Sequence, residues 1–150
     1  MRLNLGSGGL PLEGYVNVDM HCEADVKGDI RELTFEGVEE VVMYHLLEHF
    51  GLWETRTVLR RVRSWMNPGA RITVEVPDME AIMANPGPSW PSDVYGAQSH
   101  DGEFHKSGFT FGMLAQALIE AGFSDVKTRA FLSTNKNRPG MPCIEATGHA

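Results

Sequence analysis

Along this 150-residue chain, short apolar runs that end in Gly, Asp or Pro alternate with longer amphipathic stretches. That alternation predicts an α/β domain with a mostly parallel sheet. Leu3–Leu5 runs into the loop Gly6-Ser7-Gly8-Gly9, and Tyr15-Val16-Asn17-Val18 ends at Asp19. Ala24–Lys27 leads into Gly28-Asp29, and Glu40–Tyr44 ends beside His45. Arg71–Val76 is the clearest strand, since it alternates and is closed by Pro77, which has no N–H to extend a ladder. Two stretches carry helical periodicity: Trp53–Met66, stopped by Asn67-Pro68-Gly69, and Thr110–Ala121, closed by Gly122. Strands at Asp125–Phe131 and Pro142–Thr147, joined by a polar turn at Thr134–Gly140, predict a C-terminal antiparallel hairpin.

The spacing of the first strands changes this picture. Only residues 6–14 separate the first two, and Met20–Glu23 the next two, whereas a parallel crossover through a helix needs about a dozen residues or more. The expected fold is therefore a doubly wound, mostly parallel, Rossmann-like sheet whose helices are reduced in the N-terminal half. Right-handed crossovers put the helices of the two halves on opposite faces, so one face is expected to lack its cover. Candidates for that cover are the Pro77–Phe109 segment or a second copy in a homodimer. The 77–109 segment holds Trp90, Tyr95, His100, Phe104 and His105. It is too long for a plain connection and reads as a lid or substrate loop within a single domain spanning residues 1–150.

Composition narrows the partners. Thirteen basic and twenty acidic residues give a formal charge of −7, which repels phosphate backbones and argues against a nucleic-acid partner. The local run Arg56, Arg60, Arg61, Arg63 lies opposite Val58, Leu59, Val62 and Met66, as the solvated side of an amphipathic helix does. No run approaches the ~20 apolar residues of a membrane span, and Gly6 interrupts any leader-like apolar stretch. Cys22 and Cys143 form no CxxC pair. Together these features lead us to expect a cytoplasmic protein without a membrane partner.

The candidate chemistry starts at the glycine loop. A strand entering Gly6-Ser7-Gly8-Gly9, followed by a strand ending in Asp19, suits a nucleoside crevice: glycine lets backbone approach a ligand, and a carboxylate at the strand tip accepts from ribose hydroxyls. A dinucleotide GxGxxG reading fails because Pro11 stands where the third glycine is needed, and no Gly-Lys-Ser/Thr phosphate loop occurs. Separately, His45-Leu46-Leu47-Glu48-His49 matches HxxEH, an inverted zinc-peptidase signature, although no third ligand is evident from the sequence.

In their order along the chain, these motifs resemble the class I S-adenosylmethionine-dependent methyltransferases, especially small bacterial or phage members. The resemblance rests on Leu-Asn-Leu-Gly-x-Gly at Leu3–Gly8, Gly14-Tyr15-Val16-Asn17-Val18-Asp19, Gly28–Leu33 and His45–His49. It continues through Asn67-Pro68-Gly69, Phe104–Phe109 and Ala121-Gly122-Phe123. It implies S-adenosylmethionine as cofactor, with Leu5, Gly6, Ser7 and Gly8 at its methionine end and Asp19 on the ribose, next to Met20. Asp29 and Ile30 would meet the adenine, and His45 would face the sulfonium.

The implied reaction is an in-line displacement, in which most of the rate comes from holding nucleophile and methyl close and aligned. A general base is needed only for a protonated acceptor, and His45 and His105 are the leading candidates, ahead of Glu48, His49 and His100. A small-molecule or sugar acceptor suits the net charge. Base extrusion from DNA is not expected, since no Asp/Asn-Pro-Pro-aromatic motif follows the fourth strand, and Cys143 reads as buried. Two other readings stay open: a non-catalytic cofactor- or partner-binding module of the same fold, and a zinc hydrolase using His45, Glu48 and His49. No metal is assigned on the methyltransferase reading.

Overall fold

The computed structural model describes residues 1–134 and 139–150. The turn expected over 134–140 lies largely outside these residues. One seven-stranded sheet, in the order β3-β2-β1-β4-β5-β7-β6, forms the centre. Its strands are β1 (Arg2–Leu5), β2 (Val16–Asp19), β3 (Val26–Lys27), β4 (Val38–Tyr44), β5 (Met66–Pro77), β6 (Ser124–Leu132) and β7 (Pro142–His149). β1 to β5 are parallel; β7 runs antiparallel to both β5 and β6, giving the expected hairpin. The chain leaves β1 toward one edge and restarts at β4 toward the other. That divergence opens the crevice where ligands of such sheets sit, beyond the strands' carboxyl ends.

Two long helices, α1 (Leu52–Trp65) and α4 (Phe111–Ala121), cover one face. Val58, Leu59, Val62 and Trp65 form the inward stripe of α1, and Leu114, Ala117, Leu118 and Ala121 that of α4. They pack on alternate strand residues Leu3, Leu5, Val41, Met43, Ile72 and Val74, all fully buried. α1 starts where Glu54 folds back onto the Gly51 N–H (2.9 Å), and α4 ends at Gly122, whose φ of +100° takes the left-handed cap. The arginines of α1 tie the elements together: Arg56 pairs with Glu120 (2.6 Å), Arg60 donates to the Glu120 carbonyl, and Arg63 donates to that of Gly122. These carbonyls form the negative end of the α4 dipole.

No helix links β1 to β2, β2 to β3 or β3 to β4 among the described residues. The other face is built without one, and the reason lies in its side chains. Arg2, Glu40 and Arg71 stand side by side across β1, β4 and β5, while Tyr44, Glu75, Glu145 and Arg129 continue across to β6. The Arg2-Glu40-Arg71 and Arg129-Glu145 pairs set opposite charges in register and stabilise a wet sheet surface, although Glu75 and Glu145 are like-charged neighbours. Near the N-terminal strands the connecting loop itself is the cover. Asn4 donates to Asn17 (2.9 Å), whose amide oxygen also accepts from the Leu12 N–H (2.8 Å), so two buried amides stand where an αβ interface would have apolar residues.

The 77–109 segment reaches the carboxyl end of that face, where Ala97, Glu103 and His105 line a cavity together with Tyr44, Glu75 and Phe131. It contains α2 (Met79–Ala84), α3 (Trp90–Tyr95) and a 3-10 turn at Asp101–Glu103, and closes over the carboxyl edge of the sheet. Backbone N–H groups of Lys106 and Ser107 donate to the Glu48 carbonyl (2.8 and 3.1 Å), fixing the end of the segment beside β4. No helix among the described residues is long and apolar enough to cross a membrane.

Candidate functional site

Two adjoining cavities open at the switch between β1 and β4. The smaller, about 380 Å³, is walled by Gly6, Gly8, Asp19, Met20, Asp29 and Ile30, with His45 and His49 at one end and His100 to Glu103 above. The larger, about 880 Å³, lies toward the charged sheet face among Asn4, Ser7, Tyr44, Glu75, His105 and Phe131, and shares Gly6, Gly8, His45, His49 and Glu103 with the first. Both fall within the size range of small-molecule sites.

The glycine loop is pinned to β2: the N–H groups of Gly6 and Ser7 both donate to the Val18 carbonyl (2.8 and 3.1 Å). Gly6 (φ +68°) and Gly8 (φ +52°) take left-handed conformations, and a Cβ at Gly6 would fall 2.7 Å from Leu46. Glycine at position 6 is thus a steric requirement as well as a conformational one. Asp19 closes the loop, accepting at Oδ2 from the Gly8 N–H (2.8 Å) and at Oδ1 from those of His21 and Cys22 (2.7 Å each). Burial alone would raise this carboxyl, but the three amides, Cys22 foremost, outweigh it and hold the group below the ordinary carboxylate range. Of the roughly four acceptor positions of a carboxylate, the open one is on Oδ2, which leaves room for one ligand hydroxyl rather than the two expected from the sequence.

Asp29 is gripped by Arg31 through Nε and Nη2 (2.9 and 2.6 Å to Oδ2), and this guanidinium keeps it low. Arg31 in turn reaches Glu54 (3.1 Å) at the start of α1. Ile30 is buried in the wall next to it, and Met20 is half exposed at the rim. Leu5, expected at the ligand, is instead fully buried in the core beneath the loop. Ser7 borders the larger cavity, not the smaller, and its hydroxyl is buried with no hydrogen-bond partner among the described residues.

His45 sits just beyond β4 with φ +52°, an uncommon conformation for a non-glycine residue that histidine adopts more readily than most. Its Nδ1 faces Glu48 (3.2 Å) and its Nε2 faces Glu75 (2.9 Å), with the Cys143 sulfur at 3.9 Å. Desolvation opposes the charge, yet Cys143, Glu48 and Glu75 together push the imidazole up to about 12. His45 is therefore an imidazolium with both nitrogens bound, which removes the lone pair that base catalysis requires. Cys143 is fully buried, and burial raises its thiol.

The HxxEH helix does not exist. Leu47–His49 is a single 3-10 turn, so His45 and His49 do not share a helical face and the inverted zinc-peptidase geometry is absent. A turn this short follows from Gly51, which caps the next helix and leaves no length for another. The structure instead brings His105, across the fold, to Glu48: its Nε2 lies 4.0 Å from Oε1, and its ring meets that of His49 edge-on at 4.9 Å. Trp90 and Tyr95 pack on one another and line neither cavity. The sequence reading missed His21, Arg31, Phe50 and Lys106 in the wall of the smaller cavity. His21 and Arg31 each lie two residues beyond an expected acid, an offset that could have marked them.

No family model and no curated protein sequence matches the chain. Solved structures do match across 99% of it. A SAM-dependent methyltransferase from Methanosarcina mazei superposes with a TM-score of 0.72 at 15% identity, over 91% of its own length. Another from Archaeoglobus fulgidus gives 0.69 at 17% identity, over 85% of its length. The 1,6-didemethyltoxoflavin-N1-methyltransferase of Burkholderia thailandensis, solved with its substrate and S-adenosylhomocysteine, gives 0.70 at 19% identity, over 69% of its length. Against several larger methyltransferases the chain spans about half their length, 48–51%. The chain thus shares the fold of the class I S-adenosylmethionine-dependent methyltransferases.

Proposed function

We propose that the protein is an S-adenosylmethionine-dependent methyltransferase acting on a small hydroxylated acceptor, such as a sugar or polyol. The observation that carries this reading is the pairing of the two cavities at the strand switch, joined through Gly6, Gly8, His45, His49 and Glu103. The residues present suit the cofactor. Two left-handed glycines leave the loop without side chains against the smaller cavity, and Asp19 keeps one acceptor position open. Asp19 would hold a ribose hydroxyl, Ile30 would pack on the adenine with Asp29 near its edge, and Gly6 and Gly8 would border the methionine end.

When bound, the cofactor supplies an electrophilic methyl group on a sulfonium. The protein's share is positional, and the proton released as an acceptor hydroxyl is methylated would pass to water in the solvent-open larger cavity. His45, locked between Glu48 and Glu75, fixes the floor shared by the two cavities and contributes charge balance rather than proton abstraction. The larger cavity offers Asn4, Ser7, Tyr44 and Glu75 as hydrogen-bonding groups, with Phe131 as an apolar wall, a lining suited to a polyol. His49 stands at the junction, with the His105 ring 4.9 Å away in the larger cavity, where an acceptor hydroxyl would meet the donor. The overlying 101–103 turn and Lys106 roof the smaller cavity and would exclude water.

The test is product formation. Purified protein is incubated with S-adenosylmethionine and a panel of hydroxylated small molecules, and S-adenosylhomocysteine release is followed. Release that requires an acceptor and falls at least tenfold in Asp19→Asn supports the reading; binding of the cofactor without release for any acceptor would favour a non-catalytic binding module.

A further inference from the structure

We propose that Glu48, His49 and His105 bind a divalent transition-metal ion in the wall between the two cavities, with its open coordination positions facing the larger one. Three independent features converge there. A ring nitrogen of each histidine and a carboxylate oxygen of Glu48 all lie within 4.8 Å of one another. Glu48 is 1% exposed, and its Oε2 has no hydrogen-bond partner among the described residues. His45 meets Oε1 (3.2 Å), whereas the buried Oε2 is left without a donor, which is costly unless a further donor or cation reaches it.

The third feature is the orientation of the rings. His49 directs Nδ1 at the Phe104 carbonyl (3.1 Å), and His105 directs Nδ1 at the Asp93 carbonyl (3.1 Å). A carbonyl only accepts, so in each ring Nδ1 carries the hydrogen and Nε2 the lone pair. Metal-binding histidines are held in just this way, with the second nitrogen donating to a backbone carbonyl or carboxylate. Ligands on an ion at about 2.1 Å stand about 3.0–3.4 Å apart, so the set closes by small side-chain rotations. The neighbouring group His45, Glu75 and Cys143 is also compact, but both nitrogens of His45 already face carboxylates, which leaves none for an ion.

Two imidazoles and one carboxylate suit zinc, iron(II), cobalt(II) or manganese(II) and leave positions open. His49 lines both cavities and His105 the larger one, so a ligand oxygen entering the larger cavity can complete the coordination. The ion site stands on its own residues. Only the identity of that ligand, an oxygen donor serving as acceptor, rests on the methyltransferase reading.

Chelator-stripped full-length protein is titrated with cobalt(II) and with zinc(II) by calorimetry, and the visible cobalt bands are recorded. We expect one equivalent to bind with histidine-type cobalt bands, and binding to weaken about 100-fold or more in His49→Ala and His105→Ala. Glu48→Gln, which keeps the side-chain volume, should weaken it comparably; because Glu48 also holds His45, the two histidine variants, checked for folding by circular dichroism, are decisive if Glu48→Gln unfolds. Absence of saturable uptake by folded wild-type protein, or uptake undiminished in folded His49→Ala/His105→Ala, overturns the proposal. A parallel S-adenosylhomocysteine titration on the same preparation separates the readings: cofactor binding without metal uptake removes only the metal site, and metal uptake without cofactor binding removes only the methyltransferase reading.

Discussion

Two glycines in one loop should respond differently to the same substitution. In Gly6→Ala the new Cβ would lie 2.7 Å from Leu46 Cδ1 and 3.0 Å from Leu46 Cβ and Cδ2, at a φ of +68°. In Gly8→Ala the φ is +52°, but no atom lies within 4 Å of the new Cβ. Both variants incur the left-handed penalty of about 1–2 kcal/mol. Gly6→Ala adds an overpacking term of about 1–3 kcal/mol, because Leu46 is held by the fixed turn after β4. At roughly 2–4 °C per kcal/mol for a chain of this size, Gly6→Ala should melt about 2–12 °C below Gly8→Ala. Thermal unfolding followed by circular dichroism measures this. The double variant Gly6→Ala/Leu46→Ala removes the Cδ contacts and should show a favourable coupling in a double-mutant cycle. Equal melting temperatures for the two single variants, or no coupling with Leu46→Ala, would refute the steric account of the loop.

Other predictions follow from the charges. His45 should remain an imidazolium through neutral pH, since its folded value of about 12 lies far above the unfolded one. Its contribution to stability is thus fully present below the unfolded value and is lost only as pH rises through the folded one; a ring that titrates near 6.5 by NMR in the wild type would contradict this, and Glu75→Gln should move the titration downward. Asp19 and Asp29 are both held low in the fold, by burial outweighed by three amides and by Arg31 respectively. Their contribution is present above the unfolded value of about 3.9 and is lost as pH falls through the lower folded values. Asp19→Asn should therefore lower stability at neutral pH and flatten its loss in acid, read from urea midpoints at both pH values. Arg31→Gln removes a partly exposed clamp and should cost no more than about 1 kcal/mol, while weakening ligand affinity in the smaller cavity; a variant with wild-type affinity would show that the clamp does not shape the site.

The sheet was legible because its strands announce themselves. Val38–Tyr44 and Met66–Pro77 are apolar on one side and end in His45 and Asp78, and every expected strand appears within a few residues of its predicted ends. β5 begins five residues earlier than expected because Gly69, at φ +81°, bends the chain while its N–H donates to the Ala150 carbonyl, a pairing with the C-terminus that no local pattern encodes. The bare face was legible as missing length but not as charge, since the Arg2-Glu40-Arg71 ladder emerges only when three distant strands are set in register. The glycine loop, Asp19, Asp29 and Ile30 were readable from motif order. The grouping of Glu48 and His49 with His105 was not, because it depends on the 77–109 segment folding back so that Lys106 and Ser107 bond to the Glu48 carbonyl.

The central claim is that the smaller cavity is a cofactor site anchored on Asp19, and calorimetric titration of S-adenosylhomocysteine into wild-type protein and Asp19→Asn tests it most directly. The account predicts one saturable site in the wild type and an affinity at least tenfold weaker in the variant, matching the loss of a charge-assisted hydrogen bond of about 1.5–3 kcal/mol. No binding by folded wild-type protein, or equal affinity in Asp19→Asn, would contradict it.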